Sequence, residues 1–314
     1  MKICIVGPGI LTIPPTGWGA VEILIDDYRT HLENLGHKVE IINTKIPQQI
    51  IAIVNALSPD FVHIQYDDFA NIIPYINCDN IAITSHYGYI EQPDRWDEHY
   101  RKIFWSFVNS KANLFCLSPG IAEIYRKANV PESRLFVTPN GVRTDLFAFE
   151  ETPKYPEKSL YLAKIDYRKK QYIYQNIKNL YFAGGCHDDR FNKSSPRYLG
   201  HWSKTKLYSE LTNYSNLVLL SDGEAHPLVC MEAMAAGLGL VISEPAKANL
   251  DISLPFIDVI PDNKLNDTEY IENIISKNRL ISVENRKNIR EYAENFHDWQ
   301  HVIKSIYLEE INNL

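Results

Sequence analysis

The segment Ser221-Asp222-Gly223-Glu224-Ala225-His226-Pro227-Leu228-Val229-Cys230-Met231-Glu232-Ala233-Met234-Ala235-Ala236-Gly237 holds the most specific chemistry in this chain. It follows an apolar, strand-like run and passes into a helix-forming run. Glu224 lies in the loop and Glu232 on the helix. Pro227 falls where the first helical residue is expected, a favoured place for proline. A helix start presents free N–H groups and the positive end of the dipole, which suit a phosphate. A carboxylate on that helix can accept hydrogen bonds from ribose hydroxyls, and one in the loop can do the same for a sugar. A helix cap plus a solvated glutamate is the plain alternative, and for Glu232 alone it is the better one. A second group is cationic. Lys164, Lys169 and Lys170 lie in Leu162-Ala163-Lys164-Ile165-Asp166-Tyr167-Arg168-Lys169-Lys170-Gln171. Cations flanking a diphosphate neutralise charge that builds on a leaving group, although a basic cluster is more often only a solvated face. His86 follows a strand, at the carboxyl end where α/β folds place ligands.

These residues need a scaffold. Strands are expected at residues 2–6, 39–42, 61–65, 81–84, 114–117 and 135–138, and helices over 21–35, 50–57, 96–108 and 121–128. Short apolar strands alternating with helices imply a parallel sheet covered on both faces. The polar, proline-bearing stretch 152–158 has the character of a linker. The alternation then restarts, with strands at 159–163, 180–183, 217–220 and 238–242. Helices are expected over 204–212 and 228–236, and near 284–296 and 299–311. Two Rossmann-like units in tandem fit this pattern, and 314 residues suffice for two domains.

The two-glutamate segment resembles the Glu-x7-Glu motif of retaining glycosyltransferases of the GT-B fold, in the large family four. Glu224, Pro227, Leu228, Glu232, Ala233, Met234, Ala235 and Gly237 match in register, whereas Ala225 and His226 replace the usual Gly-Phe. Ile13-Pro14-Pro15-Thr16-Gly17-Trp18-Gly19-Ala20-Val21-Glu22 resembles the family's Pro-Pro-x-Gly-Tyr-Gly-Gly-x-Glu turn, with Ala20 at the second glycine. Thr84-Ser85-His86-Tyr87-Gly88 resembles its active-site histidine segment. Thr138-Pro139-Asn140-Gly141-Val142 resembles the segment before its interdomain hinge, with Arg143 at the usual aspartate. Tyr198-Leu199-Gly200-His201-Trp202 resembles the strand end beside its base pocket. Residues 162–171 align with Gly-Arg-x4-Lys-Gly, with Lys164 for the arginine and Lys170 at the glycine. Lysine offers a point charge where arginine offers a fork.

The resemblance implies two Rossmann-like domains facing a cleft. Residues 1–148 would form the acceptor side and 149–296 the donor side, with a C-terminal helix, 297–314, packing back on the first domain. It implies transfer of a hexosyl-type group from a nucleoside diphosphate sugar to a hydroxyl of a glycan or lipid-linked glycan, with retention. His86, Lys164, Lys169 and Glu224 would be catalytic. Gly19, Ala20, Lys170, Trp202, His226, Pro227, Leu228, Val229 and Glu232 would hold the donor. No cofactor and no metal is expected, because lysines and a helix end take the metal's work. The chain contains no Asp-x-Asp.

Composition narrows the partners. Hydrophobic residues make up 45% and the formal net charge is −7, so no general attraction to nucleic acid is expected. Between Lys158 and Lys206 basic residues outnumber acidic ones, which suits an anionic ligand or a solvated surface equally well. Five scattered cysteines (Cys4, Cys78, Cys116, Cys186 and Cys230) with no CxxC indicate a reducing compartment and no zinc site. No apolar run approaches a membrane span and no signal peptide opens the chain, so a cytoplasmic protein is expected, with peripheral membrane contact left open. Two rivals remain. A sugar-nucleotide binder without turnover would keep the same fold. A dehydrogenase is weaker: Gly7-Pro8-Gly9 is followed by Thr12 at the third glycine position, and Glu40 lies beyond the usual offset.

Overall fold

In a computed structural model, residues 1–17 and 19–314 are described; Trp18, part of the glycine turn, lies outside them. The chain divides into two compact units, Met1–Gly141 with Trp299–Leu314, and Val142–Asp298. The divisions therefore fall at 141/142 and 298/299, not at 148/149 and 296/297.

The first unit has a six-stranded parallel sheet in the order β2-β1-β3-β4-β5-β6. Its strands are β1 (Lys2–Val6), β2 (Lys38–Ile42), β3 (Phe61–Ile64), β4 (Ile81–Ile83), β5 (Asn113–Cys116) and β6 (Leu135–Val137). Ile3, Cys4, Ile5 and Val6 are all buried, as a strand covered on both faces requires. Helices α1 (Ala20–Asn34), α2 (Pro47–Leu57), α3 (Glu98–Val108) and α4 (Pro119–Lys127) join the strands. Leu24, Ile25, Tyr28 and Leu32 form the buried stripe of α1.

The second unit has a five-stranded parallel sheet in the order β11-β10-β9-β7-β8. Its strands are β7 (Tyr155–Leu162), β8 (Leu180–Ala183), β9 (Tyr214–Leu219), β10 (Gly239–Ser243) and β11 (Ile257–Ile260). Helices α5 (Gln171–Tyr174), α6 (Lys204–Glu210), α7 (Leu228–Ala235) and α8 (Thr268–Phe296) complete it. Part of the expected linker is in fact strand, because Tyr155 already pairs with Tyr214 of β9. Gly184 (φ +142) ends β8 so close to β7 that a Cβ there would lie 1.9 Å from the Ala163 carbonyl oxygen. Arg286 on α8 is 2% exposed and donates to the carbonyls of Glu150, Thr212, Tyr214 and Ala236. Removing it would strand several buried acceptors.

The closing segment has α9 (Trp299–Val302), a π-helical turn (Ile303–Tyr307) and α10 (Leu308–Asn312). Trp299 and Tyr307 are fully buried in the first unit. The Trp299 indole donates to Asp27 (3.1 Å), and its ring meets Tyr28 edge-on.

Candidate active site

In an open α/β sheet, ligands bind beyond the carboxyl ends of the strands where strand order reverses. The reversals fall between β1 and β3 in the first unit and between β7 and β9 in the second. Most sequence-predicted residues lie on loops at or beside these points.

In the second unit, the loop after β7 meets the loop after β9. Lys169 is 7% exposed, and its ammonium pairs with Glu224, whose side chain is 10% exposed. Arg168 reaches the other Glu224 oxygen at 3.6 Å and donates to the Gly223 carbonyl at 2.6 Å. Lys170 pairs with Asp222 at 2.5 Å. Asp222 donates its N–H to the Arg168 carbonyl (3.0 Å), which closes the loop pair from the backbone. Tyr161 braces the arrangement from β7: its hydroxyl donates to the Lys169 carbonyl (2.6 Å) and accepts from the Leu220 N–H (3.0 Å). Burial pulls the Lys169 ammonium below the usual lysine range, while Glu224 acts in the opposite direction. Lys164, at the end of β7, is exposed and makes no side-chain hydrogen bond or ion pair among the described residues.

Pro227 is the N-cap of α7 rather than its first residue, with Leu228 opening the helix. His226 and Pro227 are buried, while Leu228, Val229 and Glu232 are half-buried. Glu224 and Glu232 both act on the thiol of Cys230, and burial and the two carboxylates raise its pKa. Trp202 is buried. It is 1% exposed and packs in the core beside Tyr214.

The first unit places His86 just after β4. Its ring Nε2 lies 2.7 Å from Gln65 Oε1, and its backbone N–H donates to Asp67 Oδ2 at 3.3 Å. Asp67 also accepts from the Ser85 hydroxyl, which in turn lies 2.9 Å from the Tyr100 hydroxyl. Burial pushes the Asp67 carboxyl up to about 6 and pulls the His86 imidazole down to about 4. Gly19 caps α1 in extended backbone, and Ala20 is exposed. A Cβ on Gly19 would lie 2.8 Å from both Glu22 Oε2 and Leu11 Cδ1, so glycine lets the buried Glu22 close over the helix start.

The structure thus gathers Lys169, Lys170 and Glu224, and leaves Lys164 apart with an open charge. It adds Arg168, Asp222, Gln65 and Asp67, which were not singled out. Arg168 sits in the basic run, and Gln65 and Asp67 follow an apolar strand, so a signal existed for each. Among the described residues, no group of three or more His, Cys, Asp or Glu side chains could hold a metal ion, and no helix is long and apolar enough to cross a membrane. All five cysteines are free thiols.

No protein-family model and no curated protein matches this sequence. Solved structures do match. Sucrose-phosphate synthase from Thermosynechococcus elongatus aligns over 100% of both chains at 14% identity and TM-score 0.76. HepE of Anabaena in complex with UDP-glucose aligns over 100% of both chains at 13% identity and TM-score 0.75. WaaG, a glycosyltransferase involved in lipopolysaccharide biosynthesis, aligns over 96% of this chain and 98% of its own at 13% identity and TM-score 0.68. This chain shares their fold, the GT-B fold of two Rossmann-like domains.

Proposed function

We propose that this chain transfers a hexosyl-type group from a nucleoside diphosphate sugar to a hydroxyl acceptor, a glycan or lipid-linked glycan, with retained configuration. The observation that carries this reading is the cluster at the β7–β9 reversal, where Arg168 and Lys169 of the loop after β7 meet Glu224 in the loop that leads into α7. That HepE was solved with UDP-glucose supports the donor class.

In the free protein, Lys169 and Glu224 neutralise each other. A diphosphate would compete for Lys169 and offer it charge-assisted hydrogen bonds. Glu224 would then be released to accept from the hydroxyls of the transferred sugar. Lys164 would add the open cation, and the N–H groups at the start of α7 would face the phosphates. Together they would stabilise the departing diphosphate without a divalent metal. Glu232 would hold the ribose. Gly19 and Ala20 would approach the donor, and His86 would contact the sugar or the acceptor. No residue is placed as a covalent nucleophile, so departure and attack on one face is the route we favour.

The test is a panel of nucleoside diphosphate sugars, followed by mass spectrometry for binding and slow hydrolysis, and by NMR for the anomer formed with an acceptor. We expect one donor to bind and turn over, without loss after exhaustive EDTA treatment. Failure of every donor to bind at millimolar concentration would defeat the reading. Binding without any turnover would favour a non-catalytic binder, an outcome the existing Lys169–Glu224 pair makes worth testing.

A further inference from the structure

His63, in the middle of β3, is wholly buried where an aliphatic residue would ordinarily sit. Its ring is ringed by Tyr28, Phe61, Phe115 and Tyr307. Polar groups so deep must be hydrogen-bonded, and their partners define a path. Tyr307, on the π-helical turn of the closing segment, places its hydroxyl 2.8 Å from His63 Nδ1. Gln65 Nε2 lies 3.2 Å from the same nitrogen. His63 Nε2 lies 2.8 Å from Thr84 Oγ1. At the other end of the Gln65 amide, Oε1 lies 2.7 Å from His86 Nε2. Tyr307 and His63 are 0% exposed and Gln65 1%, whereas the His86 residue reaches the surface.

The donor and acceptor inventory, taken with the orientation of the Gln65 amide, sets the proton positions. With the Gln65 NH2 towards His63, Nδ1 of His63 accepts from Gln65. His63 then carries its proton on Nε2 and donates to Thr84. In the same orientation the amide oxygen faces His86, so His86 Nε2 carries a proton and donates to Gln65. The remaining His86 nitrogen, Nδ1, keeps its lone pair and has no hydrogen bond among the described residues. We propose that Gln65, seated by His63 and Tyr307, is a positioning residue that fixes His86 as the Nε2–H tautomer and presents Nδ1 as an acceptor for a hydroxyl of the sugar or its acceptor. The hydroxyl target rests on the proposed transfer reaction; the tautomer does not. Both imidazoles stay neutral at physiological pH because burial disfavours their charged forms.

The experiment is a long-range ¹H–¹⁵N correlation spectrum of the full chain labelled on histidine, with His86 assigned from a His86→Asn sample. His86 should appear with a protonated Nε2 and an unprotonated Nδ1. A His86 protonated on Nδ1 in the wild-type protein would overturn the proposal, whether or not any donor turns over. Gln65→Met should then shift His86 towards a tautomer mixture. It should lower kcat roughly 10- to 100-fold, by analogy with the loss of orienting partners of metal-bound histidines, with donor KM little changed. Gln65→Glu keeps an acceptor for the His86 Nε2–H and should restore most of kcat. If Gln65→Met leaves both spectrum and kcat unchanged, the chain of hydrogen bonds is only core structure. If Gln65→Met fails to fold, Tyr307→Phe takes its place; it loosens the seat of Gln65 through His63, and an unchanged His86 spectrum and kcat would again count against the proposal.

Discussion

The two lysines that sequence treated as partners differ in kind. Lys164 is exposed and uncommitted, whereas Lys169 is buried against Glu224. Lys164→Ala should lower turnover on the order of 10²–10³-fold, the usual cost of a lost oxyanion-stabilising group, and leave the urea midpoint unchanged. Lys164→Arg should preserve or improve turnover, because a guanidinium forks onto a diphosphate. Lys169→Met should also destabilise the fold, by roughly 2–3 kcal/mol. That is less than the roughly 3–5 kcal/mol of a fully orphaned buried charge, because Arg168 still faces Glu224. Equal urea midpoints for Lys164→Ala and Lys169→Met would refute the distinction. Residue types and spacing made the two-glutamate loop legible, but not this pairing, because a carboxylate and an ammonium carry no mark of which partner they choose. Histidines set an acid limit as well. Burial holds His63 at about 3 and His86 at about 4, while the unfolded chain takes up protons near 6.5. Below about pH 6.5 the unfolded state therefore binds more protons, and folding stability falls as pH drops towards 4. Asp67, raised to about 6, works the other way between about pH 4 and 6, but it is one group against two. Denaturant unfolding at pH 7 and pH 5 should show the loss, and His86→Asn should make it shallower.

At the scale of elements, Lys170 stands where the motif that its segment resembles has glycine. It is the N-cap of α5 and adopts left-handed backbone (φ 53, ψ 27). Left-handed backbone costs a side-chain-bearing residue roughly 1–2 kcal/mol, which glycine avoids. Its ion pair with Asp222 returns at most about 1 kcal/mol. Thermal unfolding should therefore rank Lys170→Gly level with or above wild type, Lys170→Ala below it and Lys170→Val lowest. A Lys170→Val protein as stable as Lys170→Gly would show that the loop does not hold this conformation in solution. Strands with continuous apolar runs, such as β1 and the second half of β9, were readable, because burial on both faces leaves such a run. The start of β7 was not: Tyr155–Lys158 is polar and contains a proline, and its place in the sheet comes from pairing with β9. β11 was missed because Ile257-Asp258-Val259-Ile260 is short, with an acid inside it. Asp258 is accommodated by an amide hydrogen bond from Asn278 on α8.

At the scale of the molecule, the first unit is discontinuous and the second is not. Gly141 lies against Trp299, so closely that a Cβ there would sit 2.5 Å from the indole. Trp299, Val302, Ile303, Tyr307 and Ile311 are all buried. A fragment of residues 142–298 should fold alone with a cooperative transition. Residues 1–141 should not, until a peptide of residues 299–314 is added in trans. A cooperative transition of 1–141 by itself would show that the closing segment is dispensable. This layout also separates the order of synthesis from the order of completion. The ribosome adds ~5–20 residues per second, and domains generally fold as units as they emerge. Here the unit made second has all its residues by Asp298, while the unit begun first still lacks its last turns. Until Trp299 and Tyr307 arrive, Tyr28 on α1 and His63 on β3 lack the rings that cover them, and the portion of the chain that has waited longest is the one most exposed to capture by a neighbour.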